Sequence, residues 1–267
     1  MLKKEFFDKK YFINANWLQF VITPNGVGYE KILQDLCESL EAMRQNKSIK
    51  AWFFLNKKQN ILVKVEFLKK NRYKLLNFEK LLKQKFGRIL IKVDIFDPET
   101  FQFGGEKGWK IAKKYFNGIS LLASGGKKIE AKLAVMIIFD LLLRVAGDSF
   151  ETWDILQRLM VVRGINQKYS LKDIRGSKFF GDIDSLFSNP RVFYFQKMQN
   201  EGFVRGVIKM NVSLARELER NKFSLMFSAR KILPYYIIFI FNIFLIAESE
   251  QKEVIRLLSF FSNPGKY

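Results

Sequence analysis

The sequence has no histidine and a single cysteine, Cys37, among 267 residues. Without histidine there is no imidazole base, no Ser-His-Asp triad and no histidine-ligated zinc. With one thiol there is no intrachain disulfide framework, and a transition-metal site is disfavoured. Cys37 falls in an amphipathic helical pattern, which predicts a buried structural thiol and not a nucleophile. Acidic residues are scarce beside basic ones: 26 Asp and Glu against 46 Lys and Arg, a formal charge of +20. A surface of that sign attracts polyanions or an acidic peptide, although lysine bias can also follow genome composition. A long hydrophobic run is lacking too. The most apolar stretch, Ile232–Ala247, contains Pro234 and Asn242 and is shorter than the roughly 20 residues that span a bilayer. It reads as a buried helix. The start, MLKKEFFDKKYF, has no apolar segment of signal-peptide length. The expectation is a cytoplasmic protein with no membrane span, no metal and no cofactor.

What is present is enough for a core. Hydrophobic residues make up 48% of the chain, which excludes general disorder. The length allows one large domain or two small ones. Apolar periodicity organises the first part. Trp17–Thr23 reads as a strand closed by Pro24-Asn25-Gly26. Leu33, Leu36, Leu40 and Met43 then repeat at helical steps. Ala51–Asn56 and Ile61–Phe67 read as two strands, and Lys57-Lys58-Gln59-Asn60 is short enough for a hairpin. Leu75, Phe78 and Leu82 mark a second helix, stopped by Gly87. Ile89, Ile91, Val93 and Ile95 alternate as a fourth strand. The order βαββαβ is the split, ferredoxin-like arrangement. Strand parity turns Ile61, Val63, Val65 and Phe67 toward the helices. It turns Leu62, Lys64 and Glu66 to the other face, which is either solvent or a site.

The rest reads as helical. Asp97–Ser120, DPETFQFGGEKGWKIAKKYFNGIS, is a strand exit, a tight Gly104-Gly105 turn and a helix start. The glycine pair alone is a weak motif, and no phosphate-loop signature accompanies it. A plain structural turn is the simplest reading. Ile129–Val145 is an apolar helix ended near Gly147. Asp148 or Ser149 caps the next, with Trp153, Leu156, Leu159 and Met160. Gly164–Pro190 is polar and reads as a long loop or lid. Asn211–Asn221, Ile232–Ala247 and Glu250–Phe261 read as three closing helices. The predicted fold is therefore α+β. It is a single domain, 1–267, with a ferredoxin-like half over 1–100 and a mainly helical half over 101–267.

Four stretches, in order, carry a resemblance. Pro98-Glu99 followed by Gln102 and Gly104-Gly105 resembles the "P-E-x-x-R-[YF]-G-G" block of the lantibiotic-dehydratase C-terminal, or thiopeptide-type bacteriocin biosynthesis, family. Ala51–Phe67 resembles its "F-F-I-R-Y … H-L-R-L-R-F" hairpin. Leu141–Leu159 resembles its "LL-x-x-L-G-L-D" junction, and Ile238–Glu250 its C-terminal "H-M-x-x-N-R-L … E" helix. That family acts in the maturation of ribosomally made, post-translationally modified peptides. One branch eliminates glutamate from glutamylated Ser or Thr. The other joins two dehydroalanines in a formal aza-Diels–Alder cycloaddition, then loses water and the leader peptide to leave a pyridine macrocycle. The standalone length is expected to suit the second branch better, though split dehydratases exist.

The departures from the pattern matter most. The hairpin's first Arg falls on Asn56, its His on Leu62 and its later Arg positions on Lys64 and Glu66. The Arg of the glycine block is Gln102, while its Glu is kept as Glu99. The last helix has Ile238 for His and Asn242-Ile243 for Asn-Arg. Elimination chemistry built on that His and those Arg residues would need other groups, such as Arg163, Arg175 or Arg205. Pyridine formation asks less of a strong base. Orientation alone can supply about 7–11 kcal/mol of a barrier, and hydrogen-bond donors stabilise developing charge.

The resemblance therefore implies a catalytic set of Lys64, Gln102, Asn242 and Glu99, between the open sheet face, the glycine turn and the last apolar helix. Asn56, Glu66, Gly104, Gly105, Tyr235 and Tyr236 would bind substrate. Set against this, Lys64 and Glu66 can be an ion pair on a wet sheet face, Asn242 a structural hydrogen bond, and the tyrosines core or rim. The partners implied are a modified precursor peptide with an acidic leader, and other maturation enzymes. The alternatives are a glutamate-elimination subunit and a non-catalytic precursor-binding protein. Nucleic-acid binding is disfavoured, because the aromatics fall on apolar faces and no recognition motif occurs.

Overall fold

The computed structural model describes residues 17–26, 28–57, 59–68, 72–87, 89–96, 98–124, 130–166, 171–189 and 202–266. Met1–Phe12, Lys58, Asp97, Ile129 and Pro190, each part of an expectation above, lie outside them. So do the side chains of Leu75 and Ile95. The chain divides into two compact units, with the boundary between Glu99 and Thr100; Ala123 and Ser124 group with the first unit. The fold class is α+β, as expected.

The first unit is built on four strands: β1 (Trp17–Thr23), β2 (Ile49–Lys57), β3 (Asn60–Phe67) and β4 (Leu90–Ile95). Their order is β2-β3-β1-β4, and every neighbouring pair is antiparallel. Helices α1 (Tyr29–Gln45) and α2 (Arg72–Phe86) provide the two crossovers of the split βαβ. The hairpin expected at Lys57–Asn60 is present, with these two residues paired and Gln59 at positive φ. Gly87 closes α2 at φ +56°, its N–H donating to the Lys83 carbonyl.

Register explains the core. Phe20 pairs with Val63, and Val63 with Phe54, so their side chains share one face. All three are essentially fully buried. Phe78 of α2 meets Phe20 edge-on at 5.7 Å, and α1 packs on β2 with Ile32, Leu36 and Leu40 buried. Each such side chain contributes roughly 1.5–3 kcal/mol by leaving water. Cys37, on the buried stripe of α1, has its thiol pushed well above the ordinary range by burial, as a structural thiol should.

The second unit opens with a 3-10 turn, Thr100–Phe103, and α3 (Gly105–Ala123). It continues with α4 (Ala131–Val145), α5 (Ser149–Val162), α6 (Leu171–Arg175), α7 (Phe180–Ser188), α8 (Gly202–Arg220), α9 (Ala229–Ile243) and α10 (Glu248–Ser262). α4 packs on α8, and α5 on both α9 and α10. Asp148 is the N-cap of α5: its carboxylate accepts from the Glu151 N–H at 2.7 Å, and Glu151 reaches back to the Gly147 N–H. A buried polar set ties three helices together. The Tyr115 hydroxyl donates to Asn211 Oδ1 at 2.7 Å. Asn211 Nδ2 donates to the Ile137 carbonyl and to Asp140, and Arg144 holds both Asp140 oxygens.

Two expectations are corrected here. Gly164–Pro190 is not one long loop: within its described part, α6 and α7 form, anchored by buried Ile174, Phe179, Ile183 and Leu186. The helix expected over Ile232–Ala247 begins and ends earlier. Leu245, at φ +60°, reverses the chain after Ile243, and the Ile246 N–H donates back to the Phe241 carbonyl. Among the described residues no helix is long and apolar enough to cross a membrane.

Candidate functional site

Lys64 lies on the sheet face opposite the helices, where parity places it. That face is not wet around it. Lys64 is 8% exposed and Glu66 9%. The cross-strand partners of Lys64 are Phe53 on β2 and Gln19 on β1. The Lys64 ammonium sits 3.6 Å from the centroid of Phe96 and 5.9 Å from that of Phe53. Trp17 completes the box, edge-on to Phe53 at 5.9 Å and to Phe96 at 5.7 Å. β1, β2 and the residue after β4 each supply one ring, because the register brings those positions to the same face. Burial lowers the Lys64 pKa from 10.5 to about 8; the Glu99 carboxylate opposes the shift and Lys57 adds to it. Ring faces attract the ammonium and offset part of its lost hydration. Lys64 is thus a donor close to balance between charged and neutral forms under mildly alkaline conditions.

The neighbours expected beside it are differently placed. Glu66 faces Lys50, at 3.9 Å, and not Lys64. Asn56 pairs with Ile61 and shares the helix-facing side of the sheet with Phe54. It therefore does not stand with Lys64: residues two apart share a face, and the two lie on opposite faces. Glu99 is exposed.

Gln102, Gly104, Gly105, Tyr235, Tyr236 and Asn242 belong to the second unit. Gln102 is half-buried on the 3-10 turn. Gly104 and Gly105 have φ of +86° and +87°, the left-handed region that glycine adopts without strain. The Gly104 N–H donates to the Phe101 carbonyl, and the Gly104 carbonyl accepts from the Met226 N–H at 3.0 Å. A Cβ on Gly105 would come within 2.8 Å of Met226 Sδ, and one on Gly108 within 1.6 Å of the Phe103 carbonyl oxygen. Close backbone approach is therefore at Gly108, while Gly104 and Gly105 supply the left-handed turn. Phe103, fully buried, contacts Trp109, Phe116, Tyr236 and Phe239. Tyr236 belongs to that core, and burial pushes its hydroxyl pKa well up. Tyr235 is half-buried. The Asn242 carbonyl oxygen accepts from Gln251 at 3.4 Å; Gln251 also donates to the Ile246 carbonyl and accepts from Arg163 at 2.8 Å. Asn242 is thus hydrogen-bonded within the second unit, and Arg163 reaches Gln251 through one guanidinium nitrogen. Among the described residues no cluster of three metal-ligating side chains occurs.

Several solved structures share this fold. The tRNA-dependent lantibiotic dehydratase MibB from Microbispora sp. 107891 superposes with a TM-score of 0.65 at 13% identity, over 93% of this chain and 28% of that one. TsrL superposes with a TM-score of 0.57 at 11% identity, over 93% of this chain and 94% of that one. The likeness is one of fold. This chain spans about 28% of the length of MibB but nearly all of TsrL. No protein-family model and no curated protein matches the chain.

Proposed function

We propose that this chain is a maturation enzyme for a ribosomally made precursor peptide, and that it forms a pyridine ring from two dehydroalanines. The observation that carries the proposal is Lys64, a buried amine boxed by Trp17, Phe53 and Phe96 on the sheet face away from the helices. It stands where the resembling hairpin carries Arg. The fold shared with the lantibiotic dehydratase MibB and with TsrL supports the coarser part of this reading, a peptide-maturation enzyme. In the reaction, the amide beside one dehydroalanine is held as its iminol, making a 2-azadiene. Two carbon–carbon bonds form to the second alkene. Loss of water and of the leader amide then leaves an aromatic ring, with no redox partner needed. Lys64 donates a hydrogen bond to the amide oxygen as charge develops. Losing one well-placed donor typically slows such a step roughly a hundred- to thousand-fold. Lys64→Ala should slow single-turnover cyclisation of a dehydrated, azole-bearing precursor by that order. If wild type forms the ring and the variant matches it, the reaction stands and the residue assignment fails.

A second reading is a non-catalytic, precursor-binding protein on the same fold. The placement of Asn56 on the other sheet face, of Asn242 against Gln251 and of Tyr236 in the core favours it. Tight precursor binding with no ring formed would establish it.

A further inference from the structure

An exposed apolar ridge flanks the glycine turn within the second unit. Phe223 is 94% exposed, Phe101 64% and Met226 61%, high values for residues of these types. Phe101 and Met226 are tied to the turn and the α8–α9 connector, and Phe223 stands on the same connector. The Phe101 ring stands edge-on to Phe227 at 4.7 Å, and the Met226 N–H bonds the Gly104 carbonyl. The ridge therefore has a fixed frame from the 3-10 turn on one side and the α8–α9 connector on the other. Cations rim it. The Lys231 ammonium lies 5.3 Å from the Phe227 ring centroid and that of Lys222 5.4 Å from the Phe223 ring centroid. Arg230 and Lys107 are also exposed on the same segments. Lys222 is paired with Glu219 and Arg230 with Glu151, so the rim is polar and of mixed sign, with Lys231 and Lys107 its remaining cations. Large apolar side chains held open to water inside a polar rim are the composition of a recognition surface.

We propose that this ridge docks an acidic peptide segment, with apolar side chains of the peptide seated on Phe101, Phe223 and Met226 and its carboxylates on the lysine rim. Charge complementarity selects this occupant: the chain carries +20, Lys231 lies against the Phe227 ring, and Lys222, which already holds a carboxylate in Glu219, lies against Phe223. A short, tied connector suits a peptide better than a lipid surface, which favours a long amphipathic helix. The identification of the occupant as a precursor's leader rests on the function proposed above; the docking surface itself does not.

The test is fluorescence anisotropy with the full chain and a labelled peptide of alternating Glu and Leu residues, beside a Lys-and-Leu counterpart. The acidic peptide should bind, and the basic one should not. Phe223→Ser should weaken binding on the order of tenfold, as truncation of an anchor does. Lys222→Glu with Lys231→Glu should weaken it further and remove most of its salt dependence. Phe223 is almost wholly in solvent, so its loss leaves the fold intact, which circular dichroism checks. Equal binding of both peptides, or affinity unchanged in the variants, overturns the proposal. So does a ridge-dependent association with phosphatidylserine vesicles or with a second copy of this chain in place of the acidic peptide. Because the assay needs no turnover, ring formation with ridge-independent binding would reject the ridge alone. Ridge-dependent binding without ring formation would reject the enzyme reading alone.

Discussion

At Lys64 an ionisable group is held where its charge is disfavoured, and this has a measurable signature. Its folded pKa of about 8 lies below the ordinary 10.5. Between those values the unfolded chain keeps a proton that the folded chain has released, so stability rises with pH across that window. Below about pH 8 the amine is charged in both states and burial weighs fully against folding. The difference corresponds to at most about 3 kcal/mol, and the Phe96 face returns about 0.5–2 kcal/mol of it. Lys64→Met should therefore be more stable than wild type at neutral pH by urea denaturation. Its advantage should shrink as pH rises from about 8 toward 10.5. A pH-independent difference would contradict the buried placement. The same variant should lose cyclisation, so a stabilised but inactive protein is expected.

At the scale of elements, turns and caps carry specific weights. Asp148→Ala removes the acceptor for the Glu151 N–H and should cost about 0.5–2 kcal/mol by thermal unfolding. Gly108→Ala forces a methyl group against the Phe103 carbonyl oxygen, 1.6 Å away. It should destabilise by more than about 3 kcal/mol, whereas the same change at Gly181, where nothing lies within 4 Å, should be mild. Equal effects at the two glycines would show that the close approach after the 3-10 turn is not real. The four strands and the two crossover helices were legible in the sequence because alternation and helical spacing are local signals. β1 was read with its observed ends, and β2 and β3 to within a few residues. The helices α6 and α7 were not legible. α6 is five residues long, and Gly181 with Asp182, Asp184 and Ser185 dilutes the apolar spacing of α7; buried Ile174 anchors the first, and Phe179, Ile183 and Leu186 the second. Of the candidate site, only the sheet face that carries Lys64 is a local enough signal to read. Parity put Lys64 on the correct face. Its aromatic box needs Trp17, Phe53 and Phe96, which meet only through the register of separate strands. Asn56 was readable in principle, since counting by twos from Ile61 through the Lys57–Asn60 hairpin places it on the helix side. The clasp of Met226 on the glycine turn left no mark in sequence, because it joins residues far apart along the chain.

For the whole molecule, the fold shared with MibB and TsrL does not by itself fix a chemistry, and side chains must decide it. By the sequence resemblance, Ile238 and Gln102 fall where the elimination pattern has His and Arg. A glutamylated Ser or Thr peptide incubated with this protein should therefore release no free glutamate and gain no dehydro product by mass. Release at useful rates would mean that other residues do that work. Precursor binding should weaken as salt is raised, given the +20 charge and a screening length of about 8 Å at 0.15 M; salt-independent affinity by calorimetry would remove the electrostatic component. The central claim is ring formation itself. It is tested most directly by single-turnover mass spectrometry of the cognate precursor, dehydrated and azole-bearing, mixed with excess protein. The account predicts a macrocycle lighter by water and by the leader amide, with that leader amide appearing at the same rate. A verified precursor that binds and stays linear would contradict it.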